Sequence, residues 1–413
     1  MIAVSWPIGR LGSCRYAFLL IFLSVLLSSN SGRAQETDHA FPWRFEEIAV
    51  LETDNPEAGV TELGSVVIDG NGVVSYVNQQ SNRVRFRGIH RFDIQGRWLG
   101  SISRRGEGPG EFPSARLLSA SSAGDLLVQG EPSGRRIVRL NADGGYEHSF
   151  RSPVLIQSPH LTSDGGGILG PDRYVLISSK NMYPGDPTGD WVQTISTLDP
   201  DGTILHSTVY ENVNYSLLIP VTGRTGQFHA YLNPAARIAK WTVDAAGGVW
   251  IIPPGNDRLQ EYSAEGELIS DVHIDLDPPE WSAREWRELL DGMTAYRRIP
   301  DSPRTEEGTD LIVEELRKLR REVSAIQRFW WVGDEGFLID RQPFDLRSPG
   351  WQKSPGRYLA LFSDGTVSEE IDGPGGLVAV SHGFALSLHT DDDDLPILTL
   401  YRLVPEHGER EER

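Results

Sequence analysis

Imidazole is the side chain best suited to hold a metal or move a proton near neutral pH, and the chain carries 10 histidines. No two are spaced like the ligands of a zinc helix. His90, His148, His206 and His273 fall in alternating segments, where a solvent-facing strand position is expected. His39 and His407 lie in terminal tails. His160, His229, His382 and His389 suit loops or inner strands, and two or three of them meeting at one point would make a divalent-metal site. The motifs of zinc-helix, nucleophile-elbow and phosphate-loop chemistry are absent from the sequence. Cys14 is the only cysteine, so neither a disulfide framework nor a thiolate metal cluster can form. Asp391–Asp394 offers hard oxygens but lacks the alternating ligands and glycine of a calcium loop, and reads as a solvated turn. Asp199–Thr203 likewise reads as a hairpin turn. Arg83, Arg85, Arg87 and Arg91 alternate and would share one strand face. They would pair there with acidic side chains, or accept an acidic peptide or a carboxylated sugar. No cofactor is expected beyond that conditional divalent metal.

Composition narrows the partners. Across 413 residues, 39 basic side chains face 58 acidic ones, for a net charge of -19. That balance opposes an electrostatic grip on nucleic acid or anionic lipid. The 43 Gly and 26 Pro suit a chain that turns often rather than a helical bundle. Arg10 and Arg15 precede an apolar run, Tyr16–Leu27, shorter than the roughly 20 residues a helix needs to span a bilayer. Gly32 and Ala34 follow at signal-peptidase spacing, so residues 1–34 read as a signal peptide. The expected product is exported, periplasmic or secreted, with no stable membrane span after cleavage. Its oligomeric state is left open. Lacking cysteine, it must gain its stability from a buried core.

The elements that must position any site come from a repeat. Hairpins recur at IHRFDIQGRWLGSI, IVRLNADGGYEHSF, ISTLDPDGTILHST, LQEYSAEGELISDV and LALFSDGTVSEEI. Each turns at a glycine expected to adopt positive φ: Gly96, Gly144, Gly202, Gly266 and Gly365. A second hairpin precedes each one, so two hairpins make a four-stranded meander. The last meander, from Leu377 on, offers three strands, and Phe45–Glu52 is a strand without a partner. Pairing these two removes two exposed edges. The expected fold is therefore all-β, a six-bladed β-propeller over residues 45–404 whose N-terminal strand closes the last blade. A polar tail, 405–413, follows. Residues 280–326 change period: a capping box at Ser282 and Glu285, then two amphipathic patterns, predict a two-helix insert between blades 4 and 5. It would cover one rim, or act as a lid or docking surface.

Between the first two meanders stands the string RGEGPGEF. Its Gly106, Gly108, Pro109, Gly110, Glu111 and Phe112 read as a structural linker: the glycines let the backbone pass close to its neighbours and Phe112 fills a gap between blades. Glu111 occupies the place of the third glycine in a dinucleotide fingerprint, which argues against a phosphate cradle. This string resembles the inter-blade linker of NHL-repeat-like six-bladed β-propellers of exported bacterial proteins. A complete repeat architecture without a catalytic signature points to a rigid, non-catalytic exported scaffold that binds a protein or a glycan. The alternative is a lactonase-like hydrolase or lyase with a metal in its central channel.

Overall fold

The computed structural model describes residues 41–53, 63–78, 88–130, 136–152, 165–180, 191–212, 218–222, 228–232, 239–255, 257–276, 282, 284, 314, 326–334, 336–341, 356–390 and 396–406. The described chain opens with strand β1 (Trp43–Val50). Blade 1 follows as β2 (Leu63–Ile68), β3 (Val74–Asn78), β4 (Ile89–Phe92) and β5 (Trp98–Ser101). Blade 2 comprises β6 (Ala115–Ala120), β7 (Leu126–Gly130), β8 (Arg136–Leu140) and β9 (Tyr146–Arg151). Blade 3 is β10 (Gly166–Gly170), β11 (Arg173–Lys180), β12 (Trp191–Leu198) and β13 (Ile204–Asn212). A separate hairpin, β14 (Leu218–Thr222) and β15 (Phe228–Leu232), comes before blade 4. Blade 4 is β16 (Lys240–Val243), β17 (Val249–Ile252), β18 (Arg258–Tyr262) and β19 (Leu268–His273). Blade 5 is β20 (Arg328–Gly333), β21 (Gly336–Asp340), β22 (Gly356–Leu361) and β23 (Ile371–Gly373). The last three strands are β24 (Leu377–Ser381), β25 (Phe384–Thr390) and β26 (Pro396–Pro405).

Pairing closes the ring. Strand β1 lies antiparallel to β26, with Trp43 opposite Pro405 and Val50 opposite Thr399, so blade 6 has the order β1-β26-β25-β24. The expected lone strand is thus real and begins at Trp43. The first strands of the blades pack side by side in the circular order β2, β6, β10, β16, β20, β24 and back to β2. This is a six-bladed all-β propeller, with buried clusters between its blades. Leu51, Ile68, Tyr76 and Phe92 pack with Leu386 and Leu400 across the closing seam. Trp250, Phe329 and Phe337 pack between blades 4 and 5. Alternation in the strands produces this arrangement, because each sheet must bury both faces against a neighbour.

The turn glycines adopt the expected conformation, with φ of 80° at Gly96, 82° at Gly144, 82° at Gly202, 88° at Gly266 and 87° at Gly365. At Asp199 the side-chain oxygen accepts the N–H groups of Asp201 and Thr203, locking the turn read from the sequence.

One expectation meets a different outcome, others fall outside the described residues, and one element was not expected. His90 is not solvent-facing: it is buried at 4% exposure and stacks on Tyr76, with ring centres 5.2 Å apart. Strand β4 starts at Ile89, so of the four alternating arginines only Arg91 lies within it. Arg83, Arg85 and Arg87 fall outside the described residues, as do Asp391–Asp394, residues 1–34 and, apart from residues 282, 284, 314 and 326, the expected two-helix insert. The hairpin β14–β15 was not expected. Its signal is two apolar stretches flanking Thr-Gly-Arg-Thr-Gly.

Candidate functional site

The topology makes the two faces of the ring unequal. On one face lie the turns joining the first to the second and the third to the fourth strands, which are short: 69–73, 93–97, 121–125, 141–145, 199–203, 244–248 and 263–267. On the other lie the connections from second to third strands and from blade to blade. The described strand ends on that face are joined by residues 79–88, 181–190, 341–355, 213–239 and 274–327. We call these the turn face and the loop face. Long connections on one face of a rigid scaffold are where binding groups collect.

The channel through the ring is bordered by the first strand of each blade, whose free edge carries unpaired N–H and C=O groups. Neighbouring side chains cap several of these. The Ser65 hydroxyl on β2 accepts the N–H of Leu117 on β6 at 2.6 Å. The Thr242 hydroxyl on β16 accepts the N–H of Trp331 on β20 at 3.0 Å. The Arg328 guanidinium donates to the Leu377 carbonyl on β24. These bonds stitch adjacent blades at the channel wall.

His382 stands at the turn-face end of the innermost strands. This residue sits between β24 and β25 at φ 53°, an uncommon conformation for a non-glycine residue. Its ring lies 5.7 Å from Trp331 of blade 5 and hydrogen-bonds the backbone of Ala120 in blade 2. Burial pushes its pKa below the ordinary value.

At the loop-face end the first strands begin. Arg116, Lys240 and Arg328 stand in the first two positions of β6, β16 and β20. The six innermost strands contain no Asp, Glu or His. Arg328 is ion-paired with the buried Asp340 on the adjoining β21 and lies 4.7 Å from the centre of the Trp330 ring. Lys240 is only partly exposed. The surrounding protein, with the Arg328 charge as a smaller contribution, pushes its amine down to about 7. Among the described residues, Lys240 has no carboxylate partner.

The linker residues picked from the sequence are placed away from the channel wall. Gly106 N–H donates to the Phe112 carbonyl at 3.2 Å, and Phe112 N–H to the Arg104 carbonyl at 3.1 Å. Glu111 accepts from Gly108 N–H at 3.1 Å and pairs with Arg104 at 2.5 Å. Those bonds hold its carboxyl below the usual range. Arg136 of β8 donates to the Gly108 and Glu111 carbonyls. Phe112 is fully buried between blades 1 and 2, where a Cβ added to Gly130 would stand 2.7 Å from its ring. Gly110 has φ 71°, and Pro109 precedes it.

Of the histidines considered as metal ligands, the two with described side chains do not share a place. His382 lies at the turn face, whereas His389 lies near the far end of β25 and bonds Ser387 Oγ at 2.8 Å. His160 and the side chain of His229 lie outside the described residues. His148 bonds the Tyr174 hydroxyl at 2.7 Å, and Arg91 bonds the Ala142 carbonyl at 2.5 Å, both tying blades together. A second concavity, a groove of about 440 Å³, runs along the outer rim at the closing seam beside Phe45, Asp372 and Tyr401. Sequence reasoning missed Lys240, Arg328, Thr242 and the contacts of His382 with Trp331 and Ala120. The signal available for Lys240 was its rarity, since it is one of four lysines.

Among the described residues no helix is long and apolar enough to cross a membrane. Neither a protein-family model nor a curated protein sequence matches the chain. Solved structures similar to it include a member of the DUF4221 family from Bacteroides vulgatus, at 10% identity and TM-score 0.47, covering 89% of this chain and 100% of that one. A Bacteroides fragilis protein described as a candidate for export matches at 10% identity and TM-score 0.43, over 89% of this chain and 96% of its own. A gluconolactonase from Xanthomonas campestris matches at 10% identity and TM-score 0.38, over 90% of this chain and 99% of its own. The chain is a six-bladed propeller on its own strand order, and its neighbours range from candidate exported proteins to a lactonase.

Proposed function

We propose that this protein is an exported, non-catalytic propeller that binds a protein or glycan partner through its loop face and channel mouth. In this reading residues 1–34 direct export to the periplasm or beyond. The chain is kin to the NHL-like propellers, and residues 280–326 add a two-helix insert to the binding face. One observation carries the proposal: the strand ends joined by the long connections share one face with Lys240, which has no carboxylate partner among the described residues, while tight turns and His382 occupy the other. A rigid ring with one elaborated face is built to present.

The second reading is a metal-dependent hydrolase or lyase of the lactonase kind. It asks for carboxylate or imidazole donors at the channel, and the innermost strands supply none. The described residues gather no group of three such donors elsewhere. The donor chemistry of the channel therefore favours binding. To test this, the purified protein is applied to an array of neutral and acidic glycans and peptides, and assayed in parallel for lactone and ester turnover. Saturable binding without turnover supports the proposal. Turnover that tracks a stoichiometric bound metal overturns it.

A further inference from the structure

We infer that the groove at the closing seam is a binding site for a neutral sugar unit, packed on the rings of Phe45 and Tyr401 and hydrogen-bonded by Arg44, Asp372 and Glu406. This site lies on the outer rim, is separate from the loop face proposed above and does not depend on it.

Ring closure makes the groove. In blades 1 to 5 a tight turn joins the third strand to the fourth and presses on the outer strand, or its end, of the preceding blade. Blade 6 has no such turn, because its third and fourth strands, β26 and β1, come from opposite ends of the described chain. Two chain segments stand in its place, joined by the Glu406 N–H donating to the Pro42 carbonyl at 2.8 Å. Across from them is β23, which has only three residues, Ile371–Gly373. A groove of about 440 Å³ is left between β23 and the closing strands, lined by residues of both. Gly373 sets how near the two sides approach, since a Cβ there would stand 2.8 Å from the Phe45 ring. The volume falls within the range of small-molecule sites, about 300–1,000 Å³, and suits about one or two sugar rings.

The lining selects the ligand. Trp43, 3% exposed, gives the groove a dry wall. Phe45 and Tyr401 are half-buried, with their rings at 90° and centres 6.4 Å apart, so part of each ring is left open. Arg44, Asp372 and Glu406 are exposed lining residues whose side chains form no ion pair or hydrogen bond among the described residues. A pyranose ring matches both features: one face of C–H groups packs on an aromatic ring, and its hydroxyls both donate and accept. Hydroxyls can donate to the two carboxylates and accept from the guanidinium, each as a charge-assisted bond. An anionic ligand would instead face Asp372 and Glu406, and a cationic one would face Arg44. A peptide strand is poorly served, because β23 is too short an edge to extend.

The experiment titrates the full chain with maltose, cellobiose and N,N′-diacetylchitobiose, read by saturation-transfer NMR of the sugar protons. Glucuronic acid and glucosamine, compared with glucose, supply the two charges. At least one neutral disaccharide should bind saturably, with the strongest transfer to its ring C–H protons. Each charged monosaccharide should bind about threefold or more weakly than glucose. Asp372→Ala and Glu406→Ala should each weaken disaccharide binding about tenfold, and Tyr401→Ala about fivefold or more. Asp372 and Glu406 are exposed, so their variants keep the test open if Tyr401→Ala fails to fold. Absence of saturable binding by all three disaccharides, a preference for either charged sugar, or affinity unchanged in both Asp372→Ala and Glu406→Ala would overturn the inference.

Discussion

Gly96 lies against the backbone of Val50: a Cβ placed on the glycine would stand 2.5 Å from the Val50 carbonyl oxygen. The same contact recurs around the ring. Gly144 abuts Ile102, Gly202 abuts Phe150, Gly266 abuts His206 and Gly365 abuts the His273 carbonyl. In each case the turn of one blade presses on the outer strand, or its end, in the preceding blade. At Val50 that outer strand is β1, drawn from the start of the described chain. The closing strand therefore occupies the position of an ordinary fourth strand, down to its contact with the next turn.

Gly96→Ala follows directly. The substitution meets both a positive φ of 80° and a backbone atom at 2.5 Å, and should destabilise by about 2–4 kcal/mol. Gly110→Ala is the control: its φ is 71° but the nearest atom would lie at 3.6 Å, so only the conformational cost of about 1 kcal/mol applies. Urea unfolding of both variants gives the comparison, and equal losses would argue against the inter-blade contact.

Arg139 ties blade 2 to blade 3. It pairs with Asp125 at 2.5 Å and Glu147 at 2.8 Å, and donates to the Pro171 carbonyl at 2.6 Å. Arg139→Met leaves the Asp125 carboxylate without its main partner and should cost about 2–4 kcal/mol. Arg139→Lys should recover part of that loss, because it keeps the charge but not the fork. Thermal unfolding of the three proteins checks the order.

How much of this could be read beforehand depends on locality. The turns at Gly96 and Asp199 and the unpaired strand near Phe45 were legible because local chemistry fixes them: a glycine at positive φ, an Asp capping its own turn, an edge that needs a partner. His90 was misplaced because alternation gives a face but not what covers it: Tyr76, its cross-strand partner on β3, stacks on it. Lys240 and Arg328 went unnoticed as a pair because 88 positions of numbering separate residues that the ring brings together. His382 was noted only as a candidate metal ligand: its contact with Ala120 exists only once the ring sets blades 6 and 2 on either side of blade 1.

His382 makes stability depend on pH. Burial lowers its pKa below 6.5, so the folded protein keeps the ring neutral where the unfolded chain takes up a proton. Stability should accordingly fall as pH drops under 6.5 and be unaffected by this group above it. His382→Asn tolerates the left-handed backbone and removes the titration. Its urea midpoint should therefore decline less between pH 7 and pH 5 than that of the wild type. An identical decline in both proteins would contradict the assignment.

The loop face is tested most directly by giving each face its own variant and titrating both against the strongest ligand from the array. One variant replaces residues 342–355 with a short Gly/Ser link, and the other carries Asp143→Lys, Asp201→Lys and Glu265→Lys on exposed turns of the opposite face. The account predicts that the first loses affinity about tenfold or more, while the second stays within about twofold of the wild type. Retained affinity in the loop variant together with loss in the turn variant would contradict it.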